Sequence, residues 1–382
     1  MRTRGQPSAV RAIRVMAAAG PPHALLLVGP QGVGKTTLAL DLAAILLCGA
    51  EDPAARPCRA CRACRLVDHG NHPDLHRLSP GGAGDQIKIA ATSTDPRPGV
   101  RELIDALALL PVEGGARVAI VEAAHRMNED AQNALLKLLE EPPPGVHLVL
   151  CADDEDRLLP TIRSRCARLR LGSVGGRAIE ALLVERGLAD PPTAALLGRL
   201  AGGRPGLAAS YALDPAARTA RSEIDRGLID LLAARPGRRL ADGRSLLARA
   251  ADLDAALDGT LGDGPRAAAA TKTARARPAE DQPSRDVPVA QRRRAALALV
   301  DAWRVVAIEL VRVTLGDARH VHDATLIEDF QQAAAGVSPG AVAAFLPHLA
   351  RAAIAIRGNA SPELAVDVLV LAWPRSSERT AA

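Results

Sequence analysis

Gly29-Pro30-Gln31-Gly32-Val33-Gly34-Lys35-Thr36 satisfies the spacing G-x-x-x-x-G-K-[ST]. The chemistry of that pattern is phosphate binding. Glycines let successive backbone N–H groups turn toward one anion, and the helix that follows adds the positive end of its dipole. Lys35 would reach the β/γ oxygens of ATP or ADP and Thr36 would offer its hydroxyl to Mg²⁺, with Thr37 beside it. A second constellation is Cys48, Cys58, Cys61 and Cys64, with nine, two and two residues between successive cysteines. Four thiolates complete one tetrahedral Zn²⁺ shell and leave no position for water, so such a site is structural. Zinc is the expectation; an iron–sulfur cluster takes the same four thiolates, and free cysteines in an arginine-rich loop are the bland alternative. His69, His72 and His76 follow closely, but a closed sulfur shell leaves them as loop residues. Cys151 and Cys166 stand apart.

These groups need elements to hold them. His23–Gly29 is a short apolar run ending at glycine, as expected of a buried parallel strand, and Lys35–Leu47 continues at helical spacing. Arg117–Val121 and Val146–Cys151 read as two more buried strands. Val100–Leu110 and Asn128–Glu141 read as helices, the second stopped by Pro142, Pro143 and Pro144. Strands alternating with helices predict a parallel α/β sheet over the first ~170 residues. Glu122 closes the second predicted strand, where an acid can order a nucleotide's magnesium through water; an ordinary strand-end carboxylate is the alternative. The next residue is Ala123, and a methyl group neither takes a proton nor orients water. Asn133–Pro143 is a helix ending in acid, against its dipole, and Arg163 and Arg165 flank Ser164 beyond the third strand.

The chain has 382 residues and a formal charge of +5, enough length for two or three domains. From Ser173 to about Ala212 the pattern is helical, broken at Pro191–Pro192 and at Gly202–Gly206; it stays helical and rich in Ala, Leu and Arg beyond. Gly259–Gln291 has almost no large apolar residue and is expected to be a disordered insertion, and Ser376–Ala382 a frayed tail. Arg292–Gly316 and Ala341–Ala355 are expected to be amphipathic helices. Two Trp, two Phe and one Tyr are too few for a base-stacking platform. The positive charge is mild, dispersed and almost all arginine, the lysines being Lys35, Lys88, Lys137 and Lys272. No stretch of about 18 apolar residues and no charged-then-apolar leader is visible, so the expectation is a cytoplasmic protein without membrane contact.

The order of these motifs resembles the bacterial replication clamp-loader AAA+ family. The phosphate loop is followed by a four-cysteine insertion, then by RVAIVEAAHRMNEDAQNALLKLLEEPP (117–143) and LLPTIRSRC (158–166), and the likeness covers about residues 5–210. It implies a RecA-like AAA+ α/β module over 1–171 with zinc at 48–64, a helical lid over 172–212, and an all-helical collar over 213–375. It implies that Arg165 acts in trans as an arginine finger on ATP held by an adjacent motor subunit. Implied partners are motor subunits of the gamma/tau type, a clamp-opening delta subunit, the sliding clamp and primed DNA.

Two departures separate the chain from the family's motor subunits. Ala123 replaces the second acid, and the sensor-arginine position falls on Gly206 with Arg204 two residues away. The phosphate loop is kept, so ATP or ADP would bind with little or no hydrolysis. An insertion, Ala90–Gly99, separates Ile87-Lys88-Ile89 from Val100. The expected role is a stator in clamp loading. A self-sufficient gamma/tau-type ATPase is the alternative, and a zinc-dependent DNA-binding regulator a weaker one.

Overall fold

The computed structural model describes every residue except 82–84, 93–95, 114, 262–287 and 377–382. Its residues fall into two compact units, one comprising Met1–Glu185 with Gly203–Gly206, the other Arg186–Gly202 with Leu207–Ala382.

The first unit is built on a five-stranded sheet of β1 (Ala24–Val28), β2 (Leu75–Leu78), β3 (Arg117–Val121), β4 (Val146–Ala152) and β5 (Ala167–Arg170), in the order β2-β3-β4-β1-β5. All four pairings are parallel. The side chains alternate between faces with the two-residue period of a strand. Leu25, Leu27, Val118, Ile120, Val149 and Cys151 pack under α1 (Pro7–Ala19) and α2 (Lys35–Leu46). Leu26, Val28, Ala119, Val121, Leu148 and Leu150 pack on the opposite face. There they meet α4 (Val100–Ala108), α5 (Glu129–Glu140) and Ile162 of α6 (Pro160–Arg165). Because both faces are covered, β1 and β3 are buried at every residue, which is why they read as unbroken apolar runs. The short α3 (Arg62–Asp68) carries Cys64, and α7 (Gly176–Glu185) follows β5.

The three strands (His23–Gly29, Arg117–Val121, Val146–Cys151) and three helices (Lys35–Leu47, Val100–Leu110, Asn128–Glu141) expected from the sequence are present to within a residue or two. The edge strands β2 and β5 are additional. His76, expected in a loop, lies on β2. The base of the 90–99 insertion is pinched: Val100 and Arg101 N–H donate to the carbonyls of Lys88 and Ile89, and Glu102 accepts from Ala91 N–H and Gly99 N–H.

The second unit is helical: α8 (Pro191–Leu200), most of α9 (Pro205–Leu213), α10 (Pro215–Asp230), α11 (Pro236–Leu261), α12 (Val289–Thr314), α13 (Ile327–Ala335), α14 (Pro339–Arg357) and α15 (Pro362–Ala372). Asp214 caps α10 by accepting from Ala216 and Ala217 N–H. The core is centred on Trp303, Phe345 and Trp373, with ring centroids 4.7–5.6 Å apart in tilted and edge-on pairs. Buried Arg239 donates to the carbonyls of Trp373 and Pro374, at 2.7 Å each, tying α11 to the segment after α15. Residues 259–261, expected in the insertion, belong to α11, and 289–291 open α12; 262–287 lie outside the described residues. Ser376 N–H donates to Leu232 O, and the expected tail beyond it is likewise outside them.

Candidate nucleotide and metal sites

A parallel sheet collects the carboxyl ends of its strands along one edge, and ligands bind there. β1 delivers the phosphate loop to that edge, β3 delivers Glu122, and β4, which lies between them, delivers Asp153. Gly29 N–H donates to Ala152 O at 3.1 Å, so the start of the loop is stitched to the end of β4. A Cβ on Gly29 would lie 2.3 Å from Leu171 O, which is why glycine stands there. Gly34 closes the loop at φ +102°, a left-handed conformation that a side chain would strain, and serves as N-cap of α2. No side chain caps that helix end, so its first amides face the loop. Val33 is buried in the α2 face of the core, while Pro30 is exposed. Gly32 O accepts from Gly206 N–H at 2.8 Å, so the residue at the expected sensor position braces the loop through its backbone.

Lys35, Thr36 and Thr37 form the first turn of α2. Lys35 Nζ donates to Gly29 O at 2.7 Å and Pro30 O at 2.8 Å, and lies 2.6 Å from Asp153 Oδ1. Burial pushes the thiol of Cys151, at the end of β4, up to about 12. Glu122 Oε1 accepts from Arg77 Nε at 2.9 Å and Nη2 at 2.5 Å, a fork from the neighbouring strand end. Ala123 sits in the left-handed region at φ +47°, uncommon for a residue with a Cβ.

Asp153 and His125 were not among the expected site residues. His125 is buried, which drives its imidazole down to about 4 despite the opposing pull of Asp153. It is therefore neutral near pH 7. Its Nδ1 accepts from Asp153 N–H at 3.2 Å, which leaves the proton on Nε2, 3.8 Å from Asp153 Oδ2. One signal could have found Asp153: an acid immediately after a buried strand, at the carboxyl edge where ligands gather.

Arg165 is the last residue of α6. Its Nη2 donates to Glu140 Oε1 at 2.6 Å and its Nη1 to Thr161 O, and the side chain is about one-third exposed. Glu140 is the last residue of α5, so the acid placed against the helix dipole is matched by this guanidinium.

The four cysteines of the insertion converge, with Sγ atoms all within 4.8 Å of one another. Backbone N–H groups point at the sulfurs: Cys58 to Cys48 Sγ at 3.5 Å, Cys61 to Cys58 Sγ at 3.3 Å, and Cys64 to Cys61 Sγ at 3.4 Å. Such amides stabilise thiolates, and the N–H groups of Ala60 and Cys61 draw Cys58 down to about 6. Burial raises Cys64 in the opposite direction. Four sulfurs at this separation suit a tetrahedral ion, and the set is compatible with zinc. The nearby histidines are engaged elsewhere: His69 Nδ1 meets Arg65 O, and His72 Nδ1 accepts from Asp74 N–H. Arg59, between the cysteines, reaches back to Asp68 and to the fully buried Asp41 of α2. Asp41 also accepts from Thr3 N–H and Oγ1, which fixes the first residues of the chain.

A profile of the family described as DNA polymerase III, delta subunit, matches residues 5–174. The DNA polymerase III subunit delta' of Pseudomonas aeruginosa is 37% identical over 212 residues, 55% of this chain and 61% of that protein. Subunit delta' of Bacillus subtilis is 36% identical over 47% of this chain and 50% of its own length. Subunit gamma/tau of Mycobacterium tuberculosis is 34% identical over 48% of this chain and 31% of its own. The chain thus spans less than two thirds of the length of the relatives it matches. Residues 5–174, the span similar to the DNA polymerase III delta-subunit family, hold the phosphate loop, the four cysteines and Arg165.

Proposed function

We propose that this chain is a delta'-type stator subunit of a bacterial clamp loader, which binds ATP or ADP without turning it over. The observation that carries the reading is the contrast between two sites of one module. The chain's own phosphate site has Lys35 but Ala123 where a base would stand, while Arg165 is presented on the surface by Glu140. Its 37% identity to a delta' subunit supports the same role.

In this reading Gly29, Pro30, Gly32, Val33, Gly34, Lys35, Thr36 and Thr37 hold the nucleotide phosphates, and Thr36 meets the magnesium that comes with them. The nucleotide supplies charge for the loop to close on. Glu122, whose Oε1 accepts from Arg77, would order that magnesium through water, and Ala123 would leave the attacking water without an acceptor for its proton. Arg165 serves a neighbouring motor subunit's ATP, where a guanidinium stabilises charge on the transferring phosphoryl group; such fingers are worth roughly 10³–10⁵ in rate. Cys48, Cys58, Cys61 and Cys64 hold one structural zinc. The reading includes a lid over 172–212 and a collar over 213–375, and places the chain in the cytoplasm. Its partners are gamma/tau motors, a delta subunit, the sliding clamp and primed DNA, touched through phosphate and shape rather than through stacked bases.

A second reading, a self-sufficient ATPase, draws on the intact loop and the 34% identity to a gamma/tau subunit. The two separate on one assay. The isolated chain is expected to bind ATP or ADP, to lose that binding with Lys35→Ala, and to hydrolyse ATP negligibly. Steady turnover abolished by Lys35→Ala would instead make it a motor.

A further inference from the structure

The ammonium of Lys35 has three protons and three acceptors: Gly29 O, Pro30 O and Asp153 Oδ1. The closest of the three, at 2.6 Å, is the carboxylate. Lys35 is buried and Asp153 half-buried, so water screens the pair only in part. Asp153 does not lean in by chance. Its N–H is tied to His125 Nδ1 at 3.2 Å, and the preceding residue, Ala152, accepts from Gly29 N–H. The acid expected to serve this edge, Glu122, is turned to Arg77 instead.

A nucleotide phosphate needs the same proton of Lys35 and brings negative charge toward Asp153. We propose that Asp153 competes with nucleotide phosphate for the Lys35 ammonium and thereby holds down the chain's affinity for di- and triphosphates. The proposal rests on the reading of this loop as a nucleotide site. Binding then requires the carboxylate to leave Lys35, and the loop discriminates against weakly charged ligands less than a loop without that acid would.

The test is calorimetric titration of the full chain with ADP, ATP and adenosine, in wild type, Asp153→Asn, Asp153→Ser, Asp153→Glu and Lys35→Ala. The two neutral variants are expected to bind ADP and ATP at least tenfold more tightly than wild type, with adenosine unchanged and Asp153→Glu close to wild type. Far-UV circular dichroism checks each fold, and either neutral variant decides if the other fails to fold. The proposal is overturned if the neutral variants bind ADP and ATP no better than wild type while Lys35→Ala still abolishes binding. It is also overturned if adenosine tightens equally, because the gain would then not involve phosphate. If wild type and the neutral variants bind no nucleotide, or binding ignores Lys35→Ala, the nucleotide reading itself falls and takes the proposal with it.

Discussion

Neutral His125 braces Asp153, which in turn faces Lys35. Keeping an imidazole uncharged inside the fold has a consequence for stability. An unfolded His takes up its proton near 6.5, whereas burial delays His125 to about 4. Between those values the unfolded chain binds more protons, so acid favours unfolding. Stability from this residue is complete above pH 6.5 and is lost as pH falls toward 4, on the order of 3 kcal/mol in all. Urea midpoints of wild type and His125→Gln, measured from pH 7.5 to pH 4.5, should converge as pH falls. Parallel curves would show that His125 is not the group held neutral. The phosphate-loop residues and the four cysteines were legible because their types and spacing carry the chemistry, whereas Arg165 was singled out only through the family resemblance of the segment around it. Asp153 and His125 were not, because neither belongs to a spaced motif and only the strand order brings them to Lys35.

Among the elements, the buried strands β1, β3 and β4 were legible as apolar runs because helices cover both their faces. The edge strands escaped for the converse reason. β2 is Leu-His-Arg-Leu with a half-exposed middle, and β5 alternates half-exposed and exposed residues, so neither has a run to read. The cysteine loop is an element of another kind, since four sulfurs and few apolar residues organise it. Its link to the rest runs through Arg59, which reaches Asp41 in the helix that starts at the phosphate loop. Cys58→Ser/Cys61→Ser should therefore lose the metal and also release Arg59 from Asp41. Elemental analysis is expected to find one zinc per wild-type chain and none in the double variant. The melting temperature should fall by several degrees, at about 2–4 °C per kcal/mol for a unit of this size. A metal-free wild type, or iron in place of zinc, would contradict the assignment.

On the scale of the whole molecule, all five aromatic side chains are buried: Tyr211, Trp303, Phe330, Phe345 and Trp373. Every one belongs to the helical unit, and three form its central cluster. Their scarcity in the sequence already argued against reading bases, and their burial spends the few there are on packing. What the molecule does offer outward is Arg165, held 2.6 Å from Glu140 and open to a neighbour. In the proposed finger role, Arg165 would have to leave this exposed ion pair, worth roughly 0–1 kcal/mol, and its hydrogen bond to Thr161 O. The most direct test of the stator account is ATP turnover by a clamp loader reconstituted with gamma/tau and delta subunits, comparing wild-type chain with Arg165→Ala. The account predicts that the variant complex assembles normally by gel filtration and loses at least tenfold in turnover. Turnover equal to wild type in an intact complex would contradict it.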